Sequence, residues 1–152
     1  MILNQQRAVR LARRPLEHFL RRLQRELGLH ESGVTIALVS DAEIARMNEA
    51  FRKKKGPTDV LSFPAAGRRR PRRPASDGGP YKGKKAGEFL GDIAIAPATA
   101  RRYARKHGRT LPAELRVLIL HGVLHLMGYD HEADRGEMDR VERKLRKRFG
   151  LA

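Results

Sequence analysis

The sequence contains no cysteine and no tryptophan, and aromatic residues make up only 5% of its 152 residues. Without cysteine the chain can form neither a disulfide nor a thiolate metal site, so any metal ligands must be histidines or carboxylates. It also lacks an apolar run long enough to span a membrane and an apolar signal segment at its start. We therefore expect a cytoplasmic protein with no membrane partner.

Acidic residues are also scarce, since 17 Asp and Glu face 33 Lys and Arg, which gives a net charge of +16. This excess predicts a polyanionic partner, nucleic acid before an acidic membrane surface, although an even spread of charge would serve only solubility. Eight of the cations, with the single acid Asp77, lie in a Gly- and Pro-rich stretch at 66–87. Such a stretch is expected to be a flexible insert. It either wraps a phosphate backbone, with Tyr81 stacking on a base, or is a tolerated surface insertion.

The apolar pattern predicts one domain with helices and strands in alternation. The predicted strands are 34–39, 58–64 and 88–97, and the predicted helices are 13–27, 41–51, 98–107, 112–127 and 134–149. The helix at 112–127 is apolar nearly all round, which is typical of a buried central helix. Residues 2–11 fit either a short strand or the start of a helix. Thr58 and Asp59 either begin a strand or hold a turn beside an active site.

Three histidines, His121, His125 and His131, occur at positions i, i+4 and i+10. The first two are one helical turn apart, so their side chains project from the same face. Gly128 can end the helix in a left-handed conformation and turn His131 back over the pair. The spacing matches the zincin pattern H-E-x-x-H-x-x-G-x-x-H, except that Gly122 replaces the glutamate of the proteases. The pattern predicts an open site for one Zn²⁺ ion rather than three buried core histidines.

Such a site can carry out hydrolysis. Three neutral imidazoles leave the metal its full charge and an open position, where the pKa of water falls to roughly 7. The same ion can polarise a carbonyl or a phosphoryl oxygen. Because the chain is rich in cations and lacks the protease glutamate, hydrolysis of a nucleic-acid backbone fits better than peptide hydrolysis.

The window His121–His131, HGVLHLMGYDH, resembles the signature of the YbeY family, the bacterial ribosome-maturation endoribonucleases. Three more segments match in the family's order: NEAFR at 48–52, PTDVLSFP at 57–64 and LGDIAI at 90–95. The matches cover most of the chain from about residue 34 to 131. The histidine signature is the most specific of them.

The resemblance implies a single α/β domain of the α+β type over residues 1–152. It would have a small mixed β-sheet packed with about five helices, and a zinc site on a central helix and the following turn. The resemblance also implies a zinc-dependent, single-strand-specific endoribonuclease, which matures the 3′ end of small-subunit ribosomal RNA and serves ribosome quality control. Its partners would be single-stranded RNA, ribosomal RNA and the small ribosomal subunit. His121, His125 and His131 match the zinc ligands, and Arg52 matches the family's functionally important arginine.

Two departures and two alternatives accompany this interpretation. Lys55 stands where an acidic residue is usual, and the insert at 66–87 is longer and more basic than the family pattern suggests. The first alternative is an RNA-binding ribosome assembly factor with a structural zinc, closed by a fourth ligand such as Asp130 or Glu132. The second is a metalloprotease, which Gly122 disfavours.

Overall fold

The computed structural model describes residues 1–65, 88–130 and 132–151. The predicted insert at 66–87 and the third predicted ligand, His131, lie outside the described residues. The helices are α1 (Arg13–Glu26), α2 (Asp41–Arg52), α3 (Pro97–Lys106), α4 (Leu111–Leu126) and α5 (Glu137–Arg148), and the strands are β1 (Ile2–Asn4), β2 (Val34–Leu38), β3 (Val60–Pro64) and β4 (Gly91–Ile95). The predicted class, an α/β domain with a small mixed sheet and about five helices, is confirmed. No helix within these ranges is long and apolar enough to cross a bilayer.

The four strands form one sheet in the order β1-β2-β4-β3. β1, β2 and β4 run parallel, and β3 pairs antiparallel with β4 at one edge. Ile36 of β2 lies beside Ile93 of β4, and both are fully buried against the helices. Residues 2–11 therefore begin with a strand. Asp92 is the charged residue within the otherwise apolar strand β4. It is exposed although β4 lies between β2 and β3 and is not an edge strand.

Helix α4 lies at the centre of the core, as its apolar sequence predicts. It contacts α1, α3 and α5 on its sides and β3 and β4 on the sheet. The Thr110 hydroxyl accepts a hydrogen bond from the Ala113 N–H and so caps the start of the helix. Its buried apolar residues are Leu115, Val117, Leu118, Ile119, Leu120, Val123, Leu124 and Leu126. The packed sides of this helix fix the position of its last two turns.

The end of α4 turns the chain where the sequence predicts. Gly128 has φ +101°, a conformation that favours glycine. The Tyr129 N–H donates to the Leu124 carbonyl at 3.1 Å and the Gly128 N–H to the His125 carbonyl at 3.0 Å. These two bonds are those of a Schellman motif, so the chain leaves the helix immediately after the second histidine.

Gly122, which stands in place of the zincin glutamate, lies where α4 approaches the sheet. A Cβ atom at this position would lie 2.9 Å from Cδ1 of Ile93, closer than side chains normally approach. The Ser62 hydroxyl donates to the Gly122 carbonyl at 3.2 Å. This position therefore serves the contact between helix and sheet and has no room for a carboxylate.

Three elements differ from the sequence prediction by two residues or more. β3 begins at Val60 rather than at residue 58, β4 spans Gly91–Ile95 rather than 88–97, and α5 begins at Glu137 rather than at residue 134. The reason at α5 is local, because the Asp134 carboxylate accepts the N–H groups of Gly136 and Met138 at 2.8 and 2.9 Å. Asp134 therefore precedes the helix and satisfies its first donors.

Candidate metal centre

His121 and His125 face the same side of α4 in its last two turns, as their spacing predicts. Their Nε2 atoms are 3.0 Å apart, and the two rings meet edge to face at an interplanar angle of 77°. Two nitrogen ligands of one tetrahedral zinc ion are about 3.3 Å apart. The two imidazoles therefore already converge at a spacing close to the one that a shared metal ion requires.

The second nitrogen of each ring has an oxygen partner. His125 Nδ1 is 3.0 Å from the Tyr129 carbonyl, and His121 Nδ1 is 2.8 Å from Glu142 Oε1. A carbonyl or an ionised carboxylate can only accept, so each Nδ1 carries the proton in these bonds. The Nε2 lone pair of a neutral ring then points toward the other histidine. Metal-binding histidines in proteins are oriented in this way by outer partners.

Glu142 comes from α5, where its side chain is 12% exposed. Burial raises the pKa of Glu142, but the hydrogen bond from His121 outweighs that effect together with the charge of Arg146 and the charges that His121 and His125 carry when protonated, so the pKa is below its ordinary value. Arg146 Nη2 lies 3.5 Å from the other carboxylate oxygen of Glu142. The carboxylate is thus held ionised between the imidazole and a guanidinium group.

The two histidines are the predicted ligands that the described residues include. Within residues 1–65, 88–130 and 132–151, no group of three histidine, aspartate or glutamate side chains is arranged to hold a metal ion. Asp130 and Glu132 line the same cleft as the pair, and Asp130 Oδ1 accepts the Glu132 N–H at 3.1 Å. The two carboxylates thus lie at the cleft without forming such a group with the histidine pair.

A cleft of about 450 Å³ opens beside the histidine pair. One wall is β3 with the turn before it, and the other elements are the end of α2 and the segment after α4. Arg52, the last residue of α2, is exposed at this cleft, and it has no acidic partner in the described part of the chain. The lining residues are Phe51, Arg52, Thr58, Asp59, Val60, Leu61, Ser62, Phe63, Pro64, His121, His125, Asp130 and Glu132.

The outer edge of β3 adds backbone groups to the cleft wall. The Ala96 N–H donates to the Asp59 carbonyl and the Ala65 N–H to the Leu90 carbonyl, which places the odd-numbered residues of β3 in the hydrogen-bonded pairs with β4. Val60 and Ser62 therefore direct their N–H and C=O groups away from β4. These groups are available to a substrate lying along the edge of the sheet.

Asp59 supplies a carboxyl group to the same wall. Burial raises the pKa of Asp59, and the backbone N–H groups of Asp59 and Val60 and the Thr58 hydroxyl offset only part of that rise. A carboxylate with a raised pKa accepts a proton near neutral pH more readily than an ordinary aspartate. Of the two placements that the sequence left open for Thr58 and Asp59, the structure has the turn beside the cleft.

Comparison with known proteins identifies the family. The family model described as Endoribonuclease YbeY matches residues 1–150. The chain belongs to the YbeY family. The protein named Endoribonuclease YbeY from Solibacter usitatus (strain Ellin6076) is 44% identical over 146 residues, which cover 95% of this chain and 85% of that protein. The Endoribonuclease YbeY of Aquifex aeolicus (strain VF5) is 40% identical over 119 residues, or 78% of this chain and 69% of that protein.

A solved structure shares this fold. The solution structure of TM1509 from Thermotoga maritima aligns with a TM-score of 0.55 at 25% identity, covering 99% of this chain and 92% of that one. The family match over residues 1–150 confirms the resemblance to the YbeY family drawn from the histidine window and the three other segments.

The roles of two residues at this candidate site are absent from the sequence prediction. Glu142 belongs to no recognisable sequence motif. Its position four residues after the buried Met138 does place it on the inner side of α5, where a charged residue is unusual. Phe51 fits the apolar stripe of its helix, yet its side chain lies 70% exposed at the cleft. No sequence pattern distinguishes an exposed phenylalanine of this kind from a core residue.

Proposed function

We propose that this YbeY-family chain is a zinc-dependent endoribonuclease that cleaves single-stranded RNA. One observation supports this most directly: two imidazoles with Nε2 atoms 3.0 Å apart lie in a cleft that also contains the cation Arg52. The relatives at 40% and 44% identity are named endoribonucleases. In this proposal the ligands of one Zn²⁺ ion are His121, His125 and His131.

The donor set fits a borderline-soft divalent ion. Imidazole nitrogen suits zinc, and the tautomers fixed by Glu142 and the Tyr129 carbonyl leave the Nε2 atoms of His121 and His125 as donors. When bound, an ion held by neutral imidazoles supplies Lewis acidity that polarises water and phosphoryl oxygens. The residues that line the cleft determine which substrate binds next to the ion.

Arg52 is the residue that we assign to the phosphoryl group. Its guanidinium is planar and always charged, and it can donate two parallel hydrogen bonds to phosphate oxygens. A developing phosphorane or phosphate charge would be stabilised by this cation in a cleft partly shielded from water. The outward N–H groups of Val60 and Ser62 can donate to the same backbone. A neutral peptide bond offers Arg52 no negative charge in the ground state, whereas a phosphodiester does, so the cleft favours a phosphodiester.

The cellular role that we propose is maturation of the 3′ end of small-subunit ribosomal RNA, with a part in ribosome quality control. The partners would be ribosomal RNA and the small ribosomal subunit in the cytoplasm. The net charge of +16 favours such polyanionic partners. We further propose that residues 1–152 act as one domain, to which the eight cations of 66–87 add RNA affinity.

A second candidate is an RNA-binding assembly factor with a structural zinc. It is considered because Asp130 and Glu132 line the cleft beside the histidine pair and are the carboxylates from which a fourth ligand would have to come. A metalloprotease is disfavoured because Gly122 stands where a general base is needed and Ile93 leaves no space for one.

Metal analysis and a substrate panel test these functions. We expect the purified chain to contain one zinc ion and to cleave single-stranded RNA, while the same RNA annealed to its complement and unstructured casein stay intact. In the proposed function Arg52 acts on a phosphodiester, and the cleft takes a strand whose bases are unpaired. Stoichiometric zinc and RNA binding without cleavage would favour the assembly factor, and digestion of casein would favour a protease.

Glu142 offers a quantitative test of the zinc ligands. Glu142→Gln keeps an oxygen for His121 Nδ1 but removes the negative charge, so zinc affinity should fall by about tenfold to a hundredfold. Competition with a chromophoric zinc chelator measures it. Asp139→Asn is the matched control, since Asp139 is an exposed carboxylate of the same helix that pairs with Arg143. Equal zinc affinities in the two variants would mean that the charge of Glu142 does not strengthen zinc binding through His121.

A further inference from the structure

Phe51 exposes an aromatic ring at the cleft. Its side chain is 70% exposed, more than any other large hydrophobic side chain in the described part of the chain. An exposed ring gains little free energy from burial, so folding alone does not account for it. The ring lies in the last turn of α2, directly before Arg52.

Phe63 holds this ring in place. The two ring centroids are 4.9 Å apart at an interplanar angle of 70°, the edge-to-face arrangement that aromatic pairs prefer. Phe63 lies on β3 and packs against the small hydrophobic cluster of Val39, Ile44, Leu61, Ala94 and Ala96. Phe51 therefore rests on a ring that is anchored in the sheet, while most of its own surface faces solvent.

Cations follow Phe51 without interruption. Arg52, Lys53, Lys54 and Lys55 are all exposed. Asn48 holds this segment at two points. Its side-chain NH₂ group donates to the Gly56 carbonyl at 3.0 Å, and its backbone carbonyl accepts the Lys54 N–H at 3.3 Å. The aromatic ring and the positive charges are thus presented together on an anchored turn.

We propose that Phe51, supported by Phe63, is a nucleobase-stacking subsite of the cleft, and that the phosphates flanking that base lie along Arg52 and Lys53–Lys55. The inference rests on the proposed function and deepens it. Proteins that bind single-stranded nucleic acid combine an aromatic platform with a positively charged track in this way. A base within a duplex has both faces covered by its neighbours, so stacking on Phe51 selects unpaired RNA.

Substitution of the ring tests the subsite. Phe51→Leu retains an apolar side chain against Phe63 but removes the stacking surface, so KM for single-stranded RNA should rise about tenfold with kcat little changed. Phe51→Tyr keeps an aromatic ring, so its KM should equal that of the wild-type protein. Phe89→Leu is the matched control, since Phe89 is 41% exposed and does not line the cleft. Thermal unfolding of all three variants checks that folding is preserved.

Salt dependence separates stacking from charge. Phe51→Leu should weaken binding of a single-stranded oligodeoxynucleotide by the same factor at every salt concentration. Lys54→Gln should instead reduce the slope of log K against log salt by about 0.7, the value for one phosphate contact on a single strand. A purely structural role of Phe51 would change neither the affinity nor the slope.

Because the chain lacks tryptophan, Phe51→Trp creates a single fluorescent reporter. A stacked base should quench this tryptophan, so the oligodeoxynucleotide should quench it and an abasic oligomer of equal length should not. Phe89→Trp should respond to neither. Equal quenching by both oligomers, or an unchanged KM in Phe51→Leu, would overturn the stacking subsite. If the unchanged chain neither binds nor cleaves RNA, it is the proposed function that fails.

Discussion

Replacing His125 by alanine is expected to remove the bound zinc and to lower RNA cleavage by at least about a thousandfold. His125 Nε2 lies 3.0 Å from His121 Nε2, so the substitution deletes one of the two donors whose convergence the structure describes. The remaining imidazole keeps its bond to Glu142 but would have to hold the ion with one partner fewer. Zinc content by elemental analysis and kcat/KM on single-stranded RNA measure the two effects.

The matched control is His18→Ala, which removes an exposed imidazole from α1 and should change neither zinc content nor cleavage. His125→Ala also leaves the Tyr129 carbonyl without its side-chain donor, so circular dichroism must show that the fold persists. Chelation of the unchanged chain gives the same test without a substitution. If His125→Ala cleaves RNA at the normal rate, the nuclease does not depend on this histidine pair. Unfolding upon chelation would instead indicate a structural zinc.

The histidine pair could be predicted from the sequence because it depends on local geometry alone. A spacing of four residues on a helix places His121 and His125 on one face, and a glycine after the helix permits the left-handed turn at Gly128. The buried character of α4 is equally local, since its apolar residues surround the whole helix. These predictions need no knowledge of which other element lies nearby.

Glu142 and Phe51 could not be predicted, because their roles depend on tertiary contacts. Glu142 is 21 residues from its partner His121 in the sequence, and only the packing of α5 beside α4 joins them. Phe51 fits the apolar stripe of α2, but the helix ends at the rim of the cleft and leaves the ring in solvent. An amphipathic pattern identifies the face of a helix and not the position along it where the covering elements end.

Arg52→Ala should lower kcat for RNA cleavage by about a hundredfold while zinc content and folding stay unchanged. A positioned cation that stabilises developing negative charge in a cleft contributes an effect of this order. Arg52 is exposed at the end of α2 and has no acidic partner among the residues described, so its removal breaks no ion pair. The favourable interaction of a cation with the helix C-terminus is lost, which costs less than about 1 kcal/mol.

Arg46→Ala is the control for Arg52, because Arg46 lies on the same helix, is exposed and pairs with Glu43. It should leave kcat unchanged. Arg52→Lys should recover part of the rate, since an ammonium restores the charge without the two parallel donors of a guanidinium. If Arg52→Ala raises KM alone and leaves kcat intact, Arg52 binds the RNA backbone equally in the ground state and the transition state. If the variant loses zinc, Arg52 supports the metal centre and does not act on the phosphoryl group.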